Sequence, residues 1–191
     1  MAQITYDEVN LMLRLYDLRR EARLRQARAW FTDNFHPTSP EDMVEKYPQG
    51  SEENTYIRMV ISYWEMVASI VNRGLINDEL FFESNGEIWV VWDRMRTIVP
   101  TWRSAFKNPH LFQNIEETCK RLEAWREKRA PGSTVAMRQM LGQSKSKTKV
   151  VWPLQRYRLR QTGSGASSRA PSVCAFGAAS LTQFLPAAFA A

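Results

Sequence analysis

Glu65 is the acidic residue in this sequence with the strongest case for a chemical role. It lies in the long apolar segment 51–74, on a narrow polar stripe of what should otherwise be a buried helix. A buried carboxylate needs a cation or hydrogen-bond donors, because an unpaired charge is costly to remove from water. Arg20, Arg23 and Arg103 are the candidate cations. The sequence predicts a polar cluster of these four residues, as an internal ion pair or the lining of a small cleft, with a water-facing stripe as the alternative.

Metal and nucleophile chemistry have weaker signals. Asp33 and His36 supply one pair at metal-ligand spacing, but a di-metal centre in a helical bundle uses two Glu-x-x-His pairs with further carboxylates. Cys119 and Cys174 lie far apart and match no redox or ligand spacing. The sequence contains no nucleophile elbow and no glycine-rich phosphate loop. We therefore expect no metal, no cofactor and no catalytic residue. A small-ligand or metal-dependent enzyme around Glu65 is kept as an alternative to a non-enzymatic protein.

The element that must position Glu65 is the helix predicted over 51–74. Its polar residues fall on one stripe, and apolar residues cover more than half of its girth, so neighbouring elements should surround it. Ser51 is a suitable N-cap and Gly74 a suitable left-handed stop. The apolar residues are Tyr56, Ile57, Val60, Ile61, Tyr63, Trp64, Val67, Ile70 and Val71.

The rest of the pattern predicts an all-α fold, a compact irregular helical bundle of about five to six helices. Caps and prolines give its boundaries. We expect helices from Thr5 to about Phe35, from Ser39 to about Tyr47, over 51–74, from Asp78 to Glu83, from a capping box at Ser84–Glu87 to a break at Pro100, over Thr101–Lys107, and from Asn108–Pro109 to Ala130. Residues 133–141 could add one more short helix.

The first predicted helix has two apolar faces. Two apolar faces indicate either two neighbouring elements or one neighbour and a partner molecule. The main face consists of Val9, Met12, Leu13, Tyr16, Leu24, Ala27, Trp30 and Phe31. The second face is a candidate interface for a protein partner or a homodimer; it consists of Leu11, Leu15, Leu18 and Ala22. A second candidate surface is the apolar seam of the last helix, which runs from Leu111 to Trp125 and could pack within the domain or across a dimer.

Charge divides the chain into two parts. All 20 acidic residues lie at or before Glu127, whereas ten of the 26 basic residues follow it. We therefore predict a helical domain over residues 1–132 and a low-complexity basic tail over 133–191, disordered or the product of a shifted reading frame. Such a tail could associate with nucleic acid through phosphate contacts, which is an alternative function.

The location is predicted from what the chain lacks. The first apolar residues are interrupted by charges, so they do not form a signal peptide. No window supplies the roughly 20 apolar residues that span a bilayer, so we expect no integral membrane segment. Two unpaired cysteines suit a reducing compartment, and the predicted location is cytoplasmic.

The segment from Asn72 to Trp125 resembles a known family. The sequence NRGLINDELFFESNGEIWVVWDRMRTIVPTWRSAFKNPHLFQNIEETCKRL combines a glycine-closed helix, an L-I-N-D-E-L connector, a Trp-centred helix and an Asn-Pro start. It resembles the C-terminal half of the domain-of-unknown-function family 4760, and LRLYDLRREARLRQARAWF resembles the N-terminal half of its soluble members. The resemblance covers about residues 5 to 130. It implies an all-α fold and a bacterial origin, and it implies no activity.

Overall fold

The computed structural model describes residues 4–143 of the chain, and regular structure in these residues is helical throughout. The described residues form nine helices: α1 Tyr6–Arg19, α2 Ala22–Asn34, α3 Pro40–Lys46, α4 Glu52–Asn72, α5 Asp78–Ser84, α6 Glu87–Met95, α7 Val99–Ala105, α8 Gln113–Arg129 and α9 Ser133–Gln143. The predicted all-α class is confirmed. The predicted number of five to six helices is too low for this part of the chain, because the predicted first helix is divided in two and the short helices, including α9, form separately.

Helix α4 is the centre of the fold. It packs against α2, α6 and α8. Ser51 accepts a hydrogen bond from the backbone N–H of Asn54 and so caps the helix as predicted. Gly74 follows the helix with a positive φ of 71°, which an L side chain rarely adopts. The indole of Trp64 is fully buried at the middle of the helix. The apolar surface that was predicted for this helix therefore lies in the hydrophobic core.

The predicted first helix is divided into α1 and α2 at Arg20 and Glu21. The backbone N–H of Arg20 closes α1 on the carbonyl of Asp17, and the Glu21 carboxylate accepts from the backbone N–H of Leu24 at 2.8 Å. Glu21 therefore acts as the N-cap of a new helix, a role that Ser, Thr, Asp and Asn fill more often. The break lets α2 turn and lie along α4.

The connection between α5 and α6 also differs from expectation. A capping box at Ser84 was predicted, but Ser84 is the last residue of α5 and Gly86 is the N-cap of α6 without a side-chain bond. The carboxylate of Glu87, which would have completed the box, instead binds Arg28 on α2. The break predicted at Pro100 comes earlier in the chain, because α6 ends at Met95 and Pro100 lies in the first turn of α7, which starts at Val99.

Helix α8 begins later than predicted. Asn108 and Pro109 lie in a turn, in which Asn108 Oδ1 accepts from the backbone N–H of His110 at 3.0 Å. The N-cap of α8 is Phe112, whose φ of 57° lies in the left-handed region and whose side chain offers no cap. The first turn of α8 therefore needs hydrogen-bond acceptors from elsewhere in the chain.

Helix α9 lies beyond the predicted domain boundary at residue 132. It packs on α8, its Thr134 is buried, and Met137 and Leu141 pack against the core. The Glu127 carboxylate accepts from the backbone N–H of Gly132 at 2.7 Å and of Thr134 at 2.9 Å. The folded region thus extends past the predicted boundary. The basic tail from residue 144 onward lies outside the described residues.

No described helix combines the length and the apolar composition that are needed to cross a membrane.

Candidate functional site

The Glu65 carboxylate caps the start of α8. Its Oε1 accepts from the backbone N–H and the side-chain amide of Asn114, at 3.1 and 2.7 Å, and its Oε2 accepts from the backbone N–H of Ile115 at 2.9 Å. These two backbone groups belong to the first turn of α8, where no intrahelical acceptor exists. A negative charge is also favourable beside the positive end of the helix dipole. Glu65 therefore supplies the cap that Phe112 does not.

Asn72 extends this network along the same face of α4. Its side-chain amide donates to the backbone carbonyl of Asn114 at 3.1 Å, and its Oδ1 accepts from the hydroxyl of Thr118 at 2.7 Å. Thr118 is fully buried, so its hydroxyl needs such a partner. Two polar side chains of α4 thus bind the first two turns of α8.

Arg103 reaches the start of α8 from the other side. Its Nε donates to the carbonyl of Leu111 at 2.9 Å, and its Nη2 pairs with Glu116 at 2.7 Å. Lys120 binds the other oxygen of Glu116 at 2.8 Å. The hydrogen bond from Lys120, followed by that from Arg103, lowers the pKa of the Glu116 carboxyl below its ordinary value. Arg103 therefore holds the turn that precedes α8 against the helix.

The four residues of the predicted polar cluster are found at two places. Glu65 and Arg103 meet the same end of α8 through different contacts, and the donors to Glu65 are amides. Arg20 lies at the end of α1, with its guanidinium carbon 5.6 Å from the centre of the Tyr16 ring. Arg23 is exposed in the first turn of α2. The interaction of Glu65 with the helix start replaces the ion pair that was considered from the sequence.

A shallow depression of about 260 Å³ lies on the Arg103 side of this helix start. Its lining residues are Arg103, Pro109, His110, Gln113, Glu116, Glu117 and Lys120. Several of them already bind one another: His110 Nδ1 lies 2.7 Å from Gln113 Oε1, and Glu116 binds both cations. Glu65 is not among the lining residues. The depression therefore does not expose the Glu65 carboxylate.

A second polar cluster joins α2 to α6. Arg28 Nε donates to Glu87 Oε1 at 2.6 Å, and its Nη2 binds the other Glu87 oxygen. Arg28 also donates to the backbone carbonyl of Arg19 at 3.1 Å. The hydrogen bond to Glu87 raises the pKa of the Arg28 guanidinium. The sequence reasoning missed this pair, because 59 residues separate its members and neither stands in a motif.

Tyr63 lies near this second cluster. Its hydroxyl donates to the backbone carbonyl of Leu15 at 2.7 Å, which ties α4 to α1. Burial raises the pKa of the Tyr63 phenol to about 12, although the positive charges of Arg19 and Arg28 oppose the shift. The phenol is therefore a neutral structural donor at ordinary pH.

A third polar cluster attaches α9. The buried indole N–H of Trp89 donates to Glu123 at 2.6 Å. Arg138 of α9 donates to the same carboxylate at 2.5 Å and to Asp93 at 2.9 Å. The guanidinium carbons of Arg126 and Arg138 lie 4.8 and 5.4 Å from the centre of the Trp89 ring. One guanidinium thus links α9 to both α6 and α8.

Cys119 and His36 are held in structural contacts. Cys119 is fully buried, and its thiol lies 3.6 Å from the carbonyl of Ile88. Burial raises the pKa of the Cys119 thiol well above its ordinary value, so the nucleophilic thiolate is disfavoured. The His36 ring contacts Arg94 and the carbonyl of Asp33. Between residues 4 and 143, no three His, Cys, Asp or Glu side chains are grouped so as to hold a metal ion.

The structure divides both apolar faces of the predicted first helix between the core and the surface. On the face proposed as an interface, Leu15 is only 6% exposed and Leu11 packs against the core, whereas Leu18 and Ala22 are exposed. On the main face, exposure reaches 53% for Leu13 and 46% for Tyr16, whereas Met12 packs against the core. The later residues of that face, Leu24, Ala27 and Phe31 on α2, are buried. Leu15 is unavailable to a partner because α1 packs inward through it. The seam on α8 also packs inward, through buried Ile115 and Leu122.

Comparison with known proteins gives one match. A family model described as "Domain of unknown function (DUF4760)" matches residues 5–122. No curated protein and no solved structure matches the chain.

Proposed function

Since the chain belongs to the family described as Domain of unknown function (DUF4760), whose description states no activity, we propose a function from the contacts of the described residues: a non-enzymatic helical module that binds a protein partner. The proposed binding surface is the outer stripe of α1, which consists of Tyr6, Val9, Leu13 and Tyr16.

Exposure of this outer stripe is the observation that carries the proposal. Its residues recur at intervals of three, four and three, so they form one row along the helix. Tyr6 is 80% exposed, Leu13 and Tyr16 are each about half exposed, and Val9 between them is partly buried. Single exposed apolar residues are common, but a row with this spacing is the seam through which one helix packs on another. Aromatic side chains are also enriched at protein interfaces.

The state of Glu65 supports a non-enzymatic role. A general acid or base must reach the proton that it transfers. Three donors already occupy the Glu65 carboxylate, and it does not line the depression beside it. The enzyme built around Glu65 is therefore the less favoured alternative. Association of the basic tail with nucleic acid concerns undescribed residues and stays a prediction, as do the cytoplasmic location and the bacterial origin.

The experiment is site-specific photo-cross-linking in the cells that produce the protein. A photoreactive phenylalanine derivative replaces Leu13 in the full chain, and the matched control replaces Met66, an exposed apolar residue on α4. We expect cross-linked protein adducts from position 13 and few from position 66. Equal yields at the two positions, or no adduct at position 13, would contradict the proposed surface.

A further inference from the structure

We propose that the outer stripe of α1 binds a second copy of this chain, with the two α1 helices antiparallel. This proposal rests on the proposed function and names its partner. A two-fold pair uses the same patch twice and is the commonest closed assembly of identical chains.

The spacing of the outer stripe suits such a pair. The stripe continues past Tyr16 to Arg20, so the intervals are three, four, three and four, as in the apolar seam of a coiled coil. Leu13 is the middle residue, and Tyr6 and Arg20 each lie seven residues from it. A two-fold axis at Leu13 therefore places Leu13 against its own copy and Tyr6 opposite Arg20 of the other copy.

Charge selects the antiparallel direction. The first turn of α1 carries Asp7 and Glu8, whereas the second half carries Arg14, Arg19 and Arg20 with one acidic residue, Asp17, and so has a net positive charge. Antiparallel copies bring the acidic end of each helix to the basic end of the other, and their dipoles are opposed. Parallel copies would align like charges. A uniformly acidic ligand would pair with the basic end of α1 but would be repelled by its acidic first turn.

Arg20 is available for the contact that the pairing requires. Within the described residues it forms no ion pair, and its guanidinium lies over the exposed ring of Tyr16. The same geometry over Tyr6 of a second copy would form a cation–π contact on each side of the axis. Asp7 likewise has no cationic partner within residues 4–143 and could bind the arginines of the second copy.

The pair should be weak. A stable interface buries about 800 Å² on each partner, and one face of a 14-residue helix offers less. We therefore expect a dissociation constant on the order of 100 µM.

Sedimentation equilibrium on the full chain tests the pairing. We expect a reversible dimer to form toward the upper end of a concentration series that spans the expected dissociation constant. Leu13→Asp and Tyr16→Asp should each weaken it about tenfold or more, because each places a charge in both halves of the interface. Met66→Asp should leave the constant unchanged. A protein that stays monomeric throughout, or a dimer that neither α1 substitution weakens, would overturn the proposal.

Disulfide trapping tests the direction. In a Cys174→Ser background, Tyr6→Cys and Arg20→Cys chains are oxidised separately and together. An antiparallel pair forms the mixed disulfide, since the two Cβ atoms must come within about 4.5 Å of each other. A disulfide between two Tyr6→Cys chains, without the mixed product, would show a parallel pair and overturn the antiparallel arrangement.

Adducts from the Leu13 photo-cross-linker separate this proposal from the function on which it rests. An adduct of two identical chains supports both. If the adduct contains a different protein and the pure chain is monomeric, the second-copy proposal is overturned. The proposed function as an interaction module is then still supported. Absence of any adduct at Leu13, both in the cells and in the purified chain above the expected dissociation constant, overturns both.

Discussion

The carboxylate of Glu65 on α4 accepts a 2.9 Å hydrogen bond from the backbone N–H of Ile115 in the first turn of α8. The two residues are 50 positions apart in the chain, and this contact replaces the local cap that α8 lacks. A residue that could have been read as a catalytic acid is therefore a structural acceptor.

Removing the Glu65 carboxylate should destabilise the fold without changing its helical class. Glu65→Ala leaves the N–H groups of Asn114 and Ile115 without acceptors, and we expect a loss of about 1–2 kcal/mol in the free energy of unfolding, the range of a lost N-cap. Urea titration followed by tryptophan fluorescence measures it. Glu117→Ala, an exposed carboxylate on α8, is the control and should change the free energy by less than about 0.5 kcal/mol. Equal effects would contradict the capping role.

The pairing of Arg28 with Glu87 should depend on the shape of the guanidinium. Lysine cannot bind both carboxylate oxygens and the carbonyl of Arg19, so Arg28→Lys should cost about 1–2 kcal/mol although the charge is kept. The side chains are 20% and 24% exposed, which places the pair between surface and buried behaviour. A double-mutant cycle with Glu87→Gln should give a coupling of about 1 kcal/mol or more. Arg25→Lys, at an exposed site on α2, is the control.

Alkaline pH should destabilise the protein through Tyr63. The phenol holds its proton up to a pKa of about 12 in the folded chain, against 10.0 for an ordinary tyrosine. Between these values the folded state binds more protons than the unfolded state, so stability is intact below pH 10 and falls as pH rises toward 12. Tyr63→Phe should remove this part of the loss of stability at high pH. In an absorbance titration, the same substitution should remove the tyrosine that ionises at the highest pH. An unchanged titration would refute the assignment.

Acid should weaken the fold in part through Asp42. Its hydrogen bond with Lys46, and then that with the backbone N–H of Thr38, lowers the pKa of the Asp42 carboxyl from 3.8 to about 2. The folded state releases this proton more readily than the unfolded state, so the contribution is present above pH 3.8 and is lost as pH falls toward 2. Asp42→Asn should flatten the dependence of the urea midpoint on pH in this window. Glu45→Gln, on the same short helix, should retain it.

Alkylation should distinguish the folded chain from the unfolded one at Cys119. In a Cys174→Ser background Cys119 is the one thiol, and its burial disfavours the reactive thiolate. We expect iodoacetamide to react at least about 100-fold more slowly in buffer than in denaturing urea, because reaction requires opening of the core. Comparable rates would show that the thiol is accessible in the folded state and would reopen a nucleophilic role.

The parts of the fold that could be predicted from the sequence are those that depend on residues close together in the chain. Ser51 and Gly74 bound α4 through their own side-chain and backbone chemistry, and the apolar girth between them forms the core. Helix starts were predicted at Thr5 and Ser39, and there Thr5 forms a capping box with Glu8 and Ser39 caps α3. Such signals act over three or four residues, so one sequence suffices to read them.

The parts that could not be predicted depend on distant residues. Glu65 was identified by its residue type and its place on α4, but its partners lie on a helix whose start had been placed at Asn108. On α1 both faces are apolar, and periodicity alone cannot decide which one is buried. Tertiary packing decides: the side chain of Leu15 is buried, and Tyr63 of α4 binds the backbone carbonyl of the same residue.

The bridge that Arg138 forms to Asp93 and Glu123 has a practical consequence for anyone who shortens the gene. In a protein cut after residue 132, both carboxylates would lack this cation. One side of the Trp89 ring would also lose its contact with the Arg138 guanidinium. A low solubility or yield of this shortened protein would then result from the lost α9 contacts and would say little about the role of the tail. A truncation that stops after Gln143 keeps the bridge and isolates the contribution of the remaining residues.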